Sequence, residues 1–354
     1  MVMSLTGTAF FVVLVAVTAL AVVATIALWA RVRGPRVVRW AVQAVLIGVC
    51  QLTAISVVAV WINNSYGLYA SWDDLMGTDN TTAMTMPGPP VDRAKFSKGT
   101  QGGVLDTYFR GKKSLLSGQV LVWTPPQYDE AAYRTKHFPV LMLLHGVPGS
   151  PQSWLEHGGM PGDFADLLAQ RAVHPFILVM PVVNPGSVDT DCSDLPGHKV
   201  ATWLSADVPD LIRTKFRTIN GPGGWGVAGY STGGFCAVKL PLQFPKVFGA
   251  GAALDPDPLT GDTSVLTDPA VRRRNAPTHM VKGTKARVSL FLATSRQDRL
   301  SPASSIEQFV AAAAGTQVEI RTQLLSSGGH NYNTWKAEYP EAFTLLSQWL
   351  RAPR

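Results

Sequence analysis

Two long hydrophobic stretches at the front of the chain contain no charged residue. They cover residues 8–30 and 40–62, and each is long enough to cross the hydrocarbon core of a bilayer as a helix. The pattern therefore predicts a transmembrane hairpin over residues 1–62. The alternatives are a buried helical hairpin in a soluble protein and, for the first stretch only, a cleaved signal peptide.

The hydrophobic pattern stops after residue 62 and returns near residue 101 in a different form. Residues 63–100 are rich in Gly, Pro, Thr, Ser and Asn and show no apolar periodicity, so we expect an irregular linker there. Over residues 101–354, short apolar runs alternate with amphipathic stretches of helical spacing. This alternation predicts an α/β domain, large enough to be a catalytic domain, with a mainly parallel, doubly wound sheet.

The elements of this domain follow from the same pattern. Fully apolar runs are typical of strands covered on both faces, and runs with helical spacing predict the covering helices. Strands are predicted at 103–110, 118–124, 138–144, 176–183, 224–228, 249–254, 287–293 and 317–325, and helices at 163–172, 203–216, 304–314 and 335–350.

Charge orients the predicted hairpin. The loop 31–39 holds four arginines, whereas residues 63–80 hold no Lys or Arg, so the positive-inside rule places the loop in the cytoplasm. We therefore expect a multi-pass protein of the cell membrane with an extracytoplasmic domain. The net charge of +7 does not indicate a nucleic-acid partner, because four of the positive charges lie in this loop. The oligomeric state stays open.

Residues 229–233 read Gly-Tyr-Ser-Thr-Gly, with a predicted strand before them and a helix-compatible run after them. A serine at a sharp strand-to-helix turn needs glycines on both sides, because larger side chains would collide where the backbone doubles back. The pattern predicts that Ser231 is an exposed nucleophile. A glycine-rich turn with an incidental serine is the alternative.

A nucleophilic serine needs a base and an orienting carboxylate. Asp298 follows the predicted strand 287–293, and His330 follows the last predicted strand, so both are expected at the same sheet edge as Ser231. The chain order Ser, Asp, His is that of hydrolases with this kind of turn. Asp255 and Asp257 are alternative carboxylates, because they follow the strand 249–254.

Two backbone amides would complete such a site by binding the oxyanion. One is that of Thr232, directly after the nucleophile, and the other is expected from Val147 in the loop after the strand 138–144. Gly146 and Gly149 would allow that backbone to approach closely. An ordinary tight turn is the alternative for this loop.

The cysteines predict a bridge and no metal site. Cys192 and Cys236 both fall in the outer domain, where an oxidising compartment would let them form a disulfide beside the site; two free thiols are the alternative. Metal-ligand spacings and phosphate-binding loops are missing from the sequence, so we expect no metal and no cofactor.

Residues 114–350 resemble the esterase D-type branch of the α/β-hydrolases, which includes the mycolyltransferases. The resemblance rests on Val122–Tyr128, His145–Gly149, Gly229–Gly234 and Gly328–Asn331. It implies an α/β-hydrolase fold and a serine esterase, with Ser231 as nucleophile, His330 as general base and Asp298 as its orienting acid. It also implies Val147 and Thr232 as the amide donors.

Several functions stay open after this resemblance. The substrate is expected to be an ester or an acyl lipid, and either water or a sugar or lipid hydroxyl could resolve the acyl-enzyme, which makes acyltransfer an alternative. A peptidase and a non-catalytic, membrane-anchored binding protein are further alternatives. The polar, proline-broken segment 255–283 is expected to form a lid or an acceptor surface over the site, or else a plain surface insertion.

Overall fold

The computed structural model describes residues 8–66, 94–99 and 103–354. The chain divides into two compact units, Met1–Thr82 and Ala83–Arg354. In the first unit, helix α1 (Thr8–Trp29) contacts helix α2 (Arg36–Tyr66). Both helices are long and apolar enough to cross a membrane.

Helix α2 is longer than the sequence pattern predicts at both ends. It begins at Arg36 rather than residue 40, so Arg36 and Arg39 lie in its first turn and not in the loop 31–39. Pro35 favours this early start because its fixed φ suits the first turn, and its carbonyl accepts a hydrogen bond from Arg39 N at 3.1 Å. At its other end the helix continues to Tyr66 rather than stopping at residue 62, because polar residues can extend a helix beyond its apolar part.

The predicted irregular linker 63–100 lies mostly outside the described residues, which resume at residue 94. Residues 97 and 98 form a short strand, β1, that pairs antiparallel with β2, so this part of the linker is not irregular. Edge pairing uses backbone groups alone, and it therefore leaves no hydrophobic pattern in the sequence.

The second unit follows the predicted alternation of strands and helices. The further strands are β2 Leu105–Arg110, β3 Ser117–Trp123, β4 Val140–Leu144, β5 Ile177–Pro181, β6 Asp194–Leu195, β7 His198–Lys199, β8 Trp225–Ser231, β9 Ala250–Pro256, β10 Ser289–Ser295 and β11 Glu319–Leu325. The helices are α3 Ser153–Glu156, α4 Gly162–Ala169, α5 Val200–Thr202, α6 Val208–Lys215, α7 Thr232–Gln243, α8 Pro269–Asn275, α9 Pro277–Met280, α10 Ala303–Ala312 and α11 Tyr332–Trp349. A π-helical turn, Trp203–Asp207, joins α5 to α6, and single 3₁₀ turns lie at Pro126–Tyr128, Ala131–Tyr133 and Pro222–Gly224.

In the described part of the chain, nine strands form one sheet in the order β1-β2-β3-β5-β4-β8-β9-β10-β11. The strands from β5 to β11 in this order pair in parallel, whereas β1, β2 and β3 form an antiparallel edge. The predicted mainly parallel sheet is confirmed. Because β8, β9, β10 and β11 are successive neighbours, the loops at their carboxyl ends meet at one edge of the sheet.

Burial differs sharply across the sheet. All five residues of β4 and all five of β5 are buried, as expected of strands covered on both faces. Strand β11 forms the opposite edge of the sheet, and it has no buried residue. The helix after it, α11, buries Trp335, Tyr339 and Phe343 against the core.

Candidate active site

Ser231 lies at the junction of a central strand and a helix. It is the last residue of β8, and α7 starts at Thr232. Its backbone has φ 56° and ψ −126°, a positive-φ conformation that is disfavoured for residues with a side chain. Such conformations persist where the surrounding structure enforces them, and they cluster at active sites.

The two glycines of the Gly-x-Ser-x-Gly motif are required by the packing of this turn. A Cβ atom on Gly229 would lie 2.2 Å from the carbonyl oxygen of Gly233. One on Gly233 would lie 2.1 Å from the carbonyl oxygen of Leu144, at the end of β4. Neither neighbour is a flexible side chain, so a larger residue would force backbone atoms apart. The motif therefore marks a close approach of three backbone segments.

Ser231, His330 and Asp298 form a continuous hydrogen-bonded chain. The Oγ atom of Ser231 lies 2.8 Å from Nε2 of His330, and Nδ1 of His330 lies 2.7 Å from Oδ2 of Asp298. The other carboxylate oxygen of Asp298 accepts hydrogen bonds from the backbone N–H groups of Leu300 and Ser301, at 2.8 and 2.9 Å. A nucleophile, a base and an orienting acid would have this geometry.

The chain of three side chains is almost closed to solvent, since the Asp298 side chain is 0% exposed and that of His330 is 12% exposed. Burial alone would raise the pKa of Asp298, but the hydrogen bond and charge of His330, with the two backbone amides, lower it. Burial alone would lower the pKa of His330, but the hydrogen bond and charge of Asp298 raise it, helped by Asp255 and Asp257. Asp298 is therefore a carboxylate poised to stabilise an imidazolium.

One expected oxyanion donor directly follows the nucleophile, and the other belongs to a loop that passes close to it. Thr232 is the first residue of α7, where a backbone N–H has no partner within the helix. The loop that carries Val147 passes close to Ser231, because a Cβ atom on Gly146 would lie 3.0 Å from Cβ of Ser231. His145 holds this loop, since its Nε2 accepts from Val183 N at 3.0 Å and burial lowers its pKa to about 4.

A disulfide and a buried lysine fasten a loop to the helix behind the nucleophile. Cys192 is bonded to Cys236, which lies on α7. The ammonium group of Lys239, also on α7, is 0% exposed and donates to Asp191 O, Cys192 O and Ser193 Oγ at 2.7, 3.1 and 2.6 Å. The sequence pattern gives no signal for this role of Lys239, because a lysine on a helix is ordinarily exposed.

Both alternative acids also lie next to the triad. Asp257 Oδ1 accepts a hydrogen bond from Ser231 Oγ at 3.2 Å, and Asp257 Oδ2 accepts one from Thr232 Oγ1 at 2.7 Å. Asp255 is fully buried close to Asp298 and His330, and these three side chains bring three potential metal-ligand atoms within 4.8 Å of one another. Both imidazole nitrogens are already hydrogen-bonded, so a metal ion would have to displace one of these contacts.

The segment 255–283 contains helices α8 and α9. Leu259 and Val281 near its two ends are buried in the core cluster that includes Phe235 and Phe309. A cavity of about 330 Å³ lies within it, lined among others by Arg272, Arg273 and Lys282.

The family model described as "Putative esterase" matches residues 117–346. The chain belongs to this family. The esterase resemblance drawn from the sequence motifs is thus confirmed, and family membership supports carboxylic ester hydrolysis as the reaction class. The matched region includes Ser231, Asp298 and His330.

A curated relative and several solved structures are similar to parts of the chain. An uncharacterized protein of Corynebacterium glutamicum is 30% identical over 129 residues, so the match spans 36% of this chain and 30% of that relative. A ferulic acid esterase structure has a TM-score of 0.59 at 20% identity and covers 69% of this chain and 97% of its own.

Two further structures show the same fold. An S-formylglutathione hydrolase from Agrobacterium tumefaciens has a TM-score of 0.58 at 19% identity, over 72% of this chain and 99% of its own. The fluorophosphonate-binding serine hydrolase F of Staphylococcus aureus has a TM-score of 0.55 at 16% identity, over 70% of this chain and 98% of its own. The predicted α/β-hydrolase fold is confirmed.

Proposed function

We propose that this protein is a serine esterase in which Ser231 is the nucleophile, His330 the general base and Asp298 the orienting acid. The observation that carries the proposal is the hydrogen-bonded chain from Ser231 Oγ to His330 and on to Asp298. It occurs at the carboxyl edge of a parallel sheet, where α/β enzymes bind their ligands.

The mechanism follows from which atoms face each other. Ser231 Oγ attacks the ester carbonyl carbon while its proton passes to His330 Nε2, and Asp298 stabilises the imidazolium. Collapse of the tetrahedral intermediate breaks the carbon–oxygen bond, and His330 returns the proton to the leaving alcohol. Water then attacks the acyl-enzyme with His330 again as base, which releases the acid and restores Ser231.

The developing oxyanion needs hydrogen-bond donors at the position of the former carbonyl oxygen. We assign this role to the backbone N–H groups of Thr232 and Val147. The N-terminal end of α7 adds a favourable helix dipole at the same place, since the helix starts directly after Ser231.

Substitution of the nucleophile tests the proposal. Ser231→Ala should lower hydrolysis of p-nitrophenyl esters by about 10⁶-fold and abolish labelling by a fluorophosphonate. Ser304→Ala is the matched control, because Ser304 is an exposed serine on α10 and should leave both signals unchanged. Labelling retained in Ser231→Ala, or missing from the wild-type protein, would overturn the assignment; the latter would favour a non-catalytic binding protein.

Acyl transfer to an alcohol is the second candidate, and the Asp257 carboxylate favours it. This group lies 3.2 Å from Ser231 Oγ, where it could accept a hydrogen bond from an incoming hydroxyl. Turnover of one ester with and without added glycerol or a sugar separates the two reactions. A new acylated alcohol would support a transferase, whereas free acid alone would support an esterase.

We further propose that α1 and α2 anchor the protein in the cell membrane with the catalytic unit outside. The supporting observations are the length and apolar character of both helices, the arginines between them and at the start of α2, and the Cys192–Cys236 disulfide, a bond typical of oxidising compartments. Labelling of intact cells with a membrane-impermeant fluorophosphonate tests the orientation. Labelling that appears only after lysis would contradict it.

A further inference from the structure

A fourth side chain beside the triad has no part in the mechanism above. Asp255 lies near the end of β9 and is 0% exposed. One carboxylate oxygen of Asp255, one of Asp298 and one ring nitrogen of His330 all lie within 4.8 Å of one another. The imidazole therefore has two carboxyl groups next to it rather than one.

The backbone at Asp255 departs from the regular strand. Tyr230 pairs with Leu254 and Ser231 pairs with Pro256, so Asp255 is the extra, unpaired residue of a β-bulge directly opposite the nucleophile. Its φ of 41° lies in the left-handed region, which favours glycine. Bulges next to active sites redirect a side chain, and this one brings a carboxyl group to the triad.

The surroundings of Asp255 leave its carboxyl group free to change partner. Within the part of the chain that the structure describes, neither of its oxygens makes a well-formed hydrogen bond. The groups that face it are Asp298, His330, Thr294 and Trp335, and the buried carboxyl of Glu338 interacts electrostatically with both Asp255 and Asp298. Two close carboxyl groups in a buried site do not both ionise readily.

The charge of the pair is divided unequally. The pKa of Asp255 is raised to about 7, by burial first and by the charge of Asp298 second, while His330, Thr294 and Trp335 act in the opposite direction. The pKa of Asp298 is lowered. Asp298 therefore ionises first, and Asp255 keeps its proton to a higher pH than Asp298 does.

We propose that Asp255 is a second positioning carboxyl for His330, which orients the imidazole and compensates its charge when Asp298 is absent. The inference rests on the proposed Ser231–His330 mechanism. Without Asp298, the like-charge repulsion on Asp255 disappears, Asp255 releases its proton to solvent, and His330 Nδ1–H donates to Asp255. Proton transfer between Ser231 and Nε2 is otherwise unchanged.

The test compares Asp298→Ala with the double variant Asp298→Ala/Asp255→Asn. Alanine is preferred over asparagine at position 298, because an amide N–H facing Nδ1 would impose the wrong imidazole tautomer. We expect Asp298→Ala to keep a kcat/KM at least about a hundredfold above that of the double variant. Equal activities would overturn the proposal.

Glu338→Gln in the Asp298→Ala background is the matched control. Glu338 is also 0% exposed and has no hydrogen bond to its carboxylate oxygens from the described residues, but it is outside the group of three. This control should keep the activity of Asp298→Ala, with thermal unfolding checked for every variant. If it loses as much activity as Asp255→Asn does, the effect is one of packing, and the proposal is wrong.

The pH dependence of kcat/KM gives a second test, because a mere packing defect would not shift it. Removing Asp255 from the Asp298→Ala protein should shift the acidic limb of kcat/KM to lower pH, because His330 then loses the charge of Asp255 and keeps only that of Asp257. An unmoved limb contradicts the proposal. Ser231→Ala is assayed in parallel: if it stays active, the proposed function itself fails, whereas failure of the Asp255 comparison alone leaves that function intact.

Discussion

Asp257 Oδ1 lies 3.2 Å from Ser231 Oγ, so the nucleophile's hydroxyl has a second acceptor besides His330 Nε2 at 2.8 Å. The hydroxyl has one proton and can donate it to only one of them. Burial raises the pKa of Asp257, while its hydrogen bonds to Thr232 and Ser231 lower it. A carboxylate at this position competes with the base and adds negative charge near the expected oxyanion.

Neutralising Asp257 should therefore increase ester hydrolysis. We expect Asp257→Asn to raise kcat/KM by about tenfold, equal to about 1.4 kcal/mol of barrier, at a pH where the wild-type carboxylate is ionised. The measurement is p-nitrophenyl ester turnover at pH 8. A loss of activity would mean that Asp257 takes part in the reaction instead, for example by binding the leaving or incoming alcohol.

The ion pair of His330 and Asp298 sets the pH dependence. Only neutral His330 can accept the proton of Ser231, and its pKa is raised above 6.5, so kcat/KM should fall as the pH drops through a value above 6.5. Asp298→Asn removes the charge that raises this pKa. The acidic limb should then move to lower pH, with activity about 10⁴-fold lower but measurable. If the substitution left the acidic limb unchanged, Asp298 would not be the group that raises the pKa of His330.

Crowding at Gly233 makes this glycine a structural requirement. Gly233→Ala should lower the yield of folded protein and its melting temperature, because the new Cβ atom would lie 2.1 Å from Leu144 O. Gly162→Ala is the matched control on α4, where an added Cβ atom meets nothing within 4 Å. It should stabilise the protein by up to about 1 kcal/mol. Similar melting temperatures for the two variants would contradict the crowding.

Lys239 should contribute to stability more than its residue type suggests. Lys239→Met leaves three buried acceptors without their donor and should lower the free energy of unfolding by roughly 3 kcal/mol. Lys246→Met, at an exposed position just after α7, should change it little. Denaturant unfolding of both variants gives the comparison. If both variants changed the free energy of unfolding equally, water would be replacing the ammonium group as the donor to the loop Asp191–Ser193.

The sequence predicted the fold well, because buried parallel strands leave unbroken apolar runs. Strands β4, β5 and β8 to β11 are found where the pattern predicts them, to within a few residues. The helix boundary at Arg36 and the strand β1 were missed, because a proline-initiated helix start and backbone edge pairing produce no hydrophobic signal.

The site was predictable in part for a related reason. Ser231, Asp298 and His330 follow three strands whose carboxyl ends share one edge, so chain order alone brings them near each other. The bulge at Asp255 and the contact of Asp257 with Ser231 depend on backbone register and side-chain direction. Neither is encoded in residue type, so the sequence could offer these two residues only as alternatives to Asp298.

The placement of His330 after the edge strand β11 has a consequence for heat inactivation. Among the described residues this strand pairs only with β10, and none of its own residues is buried, so it can detach locally at a lower free energy than the central strands. Detachment would separate the base from Ser231 while Trp154 and Trp225 stay packed in the interior. On a heating ramp, ester turnover should therefore vanish several degrees before tryptophan fluorescence reports unfolding, and coincident transitions would contradict this order of events.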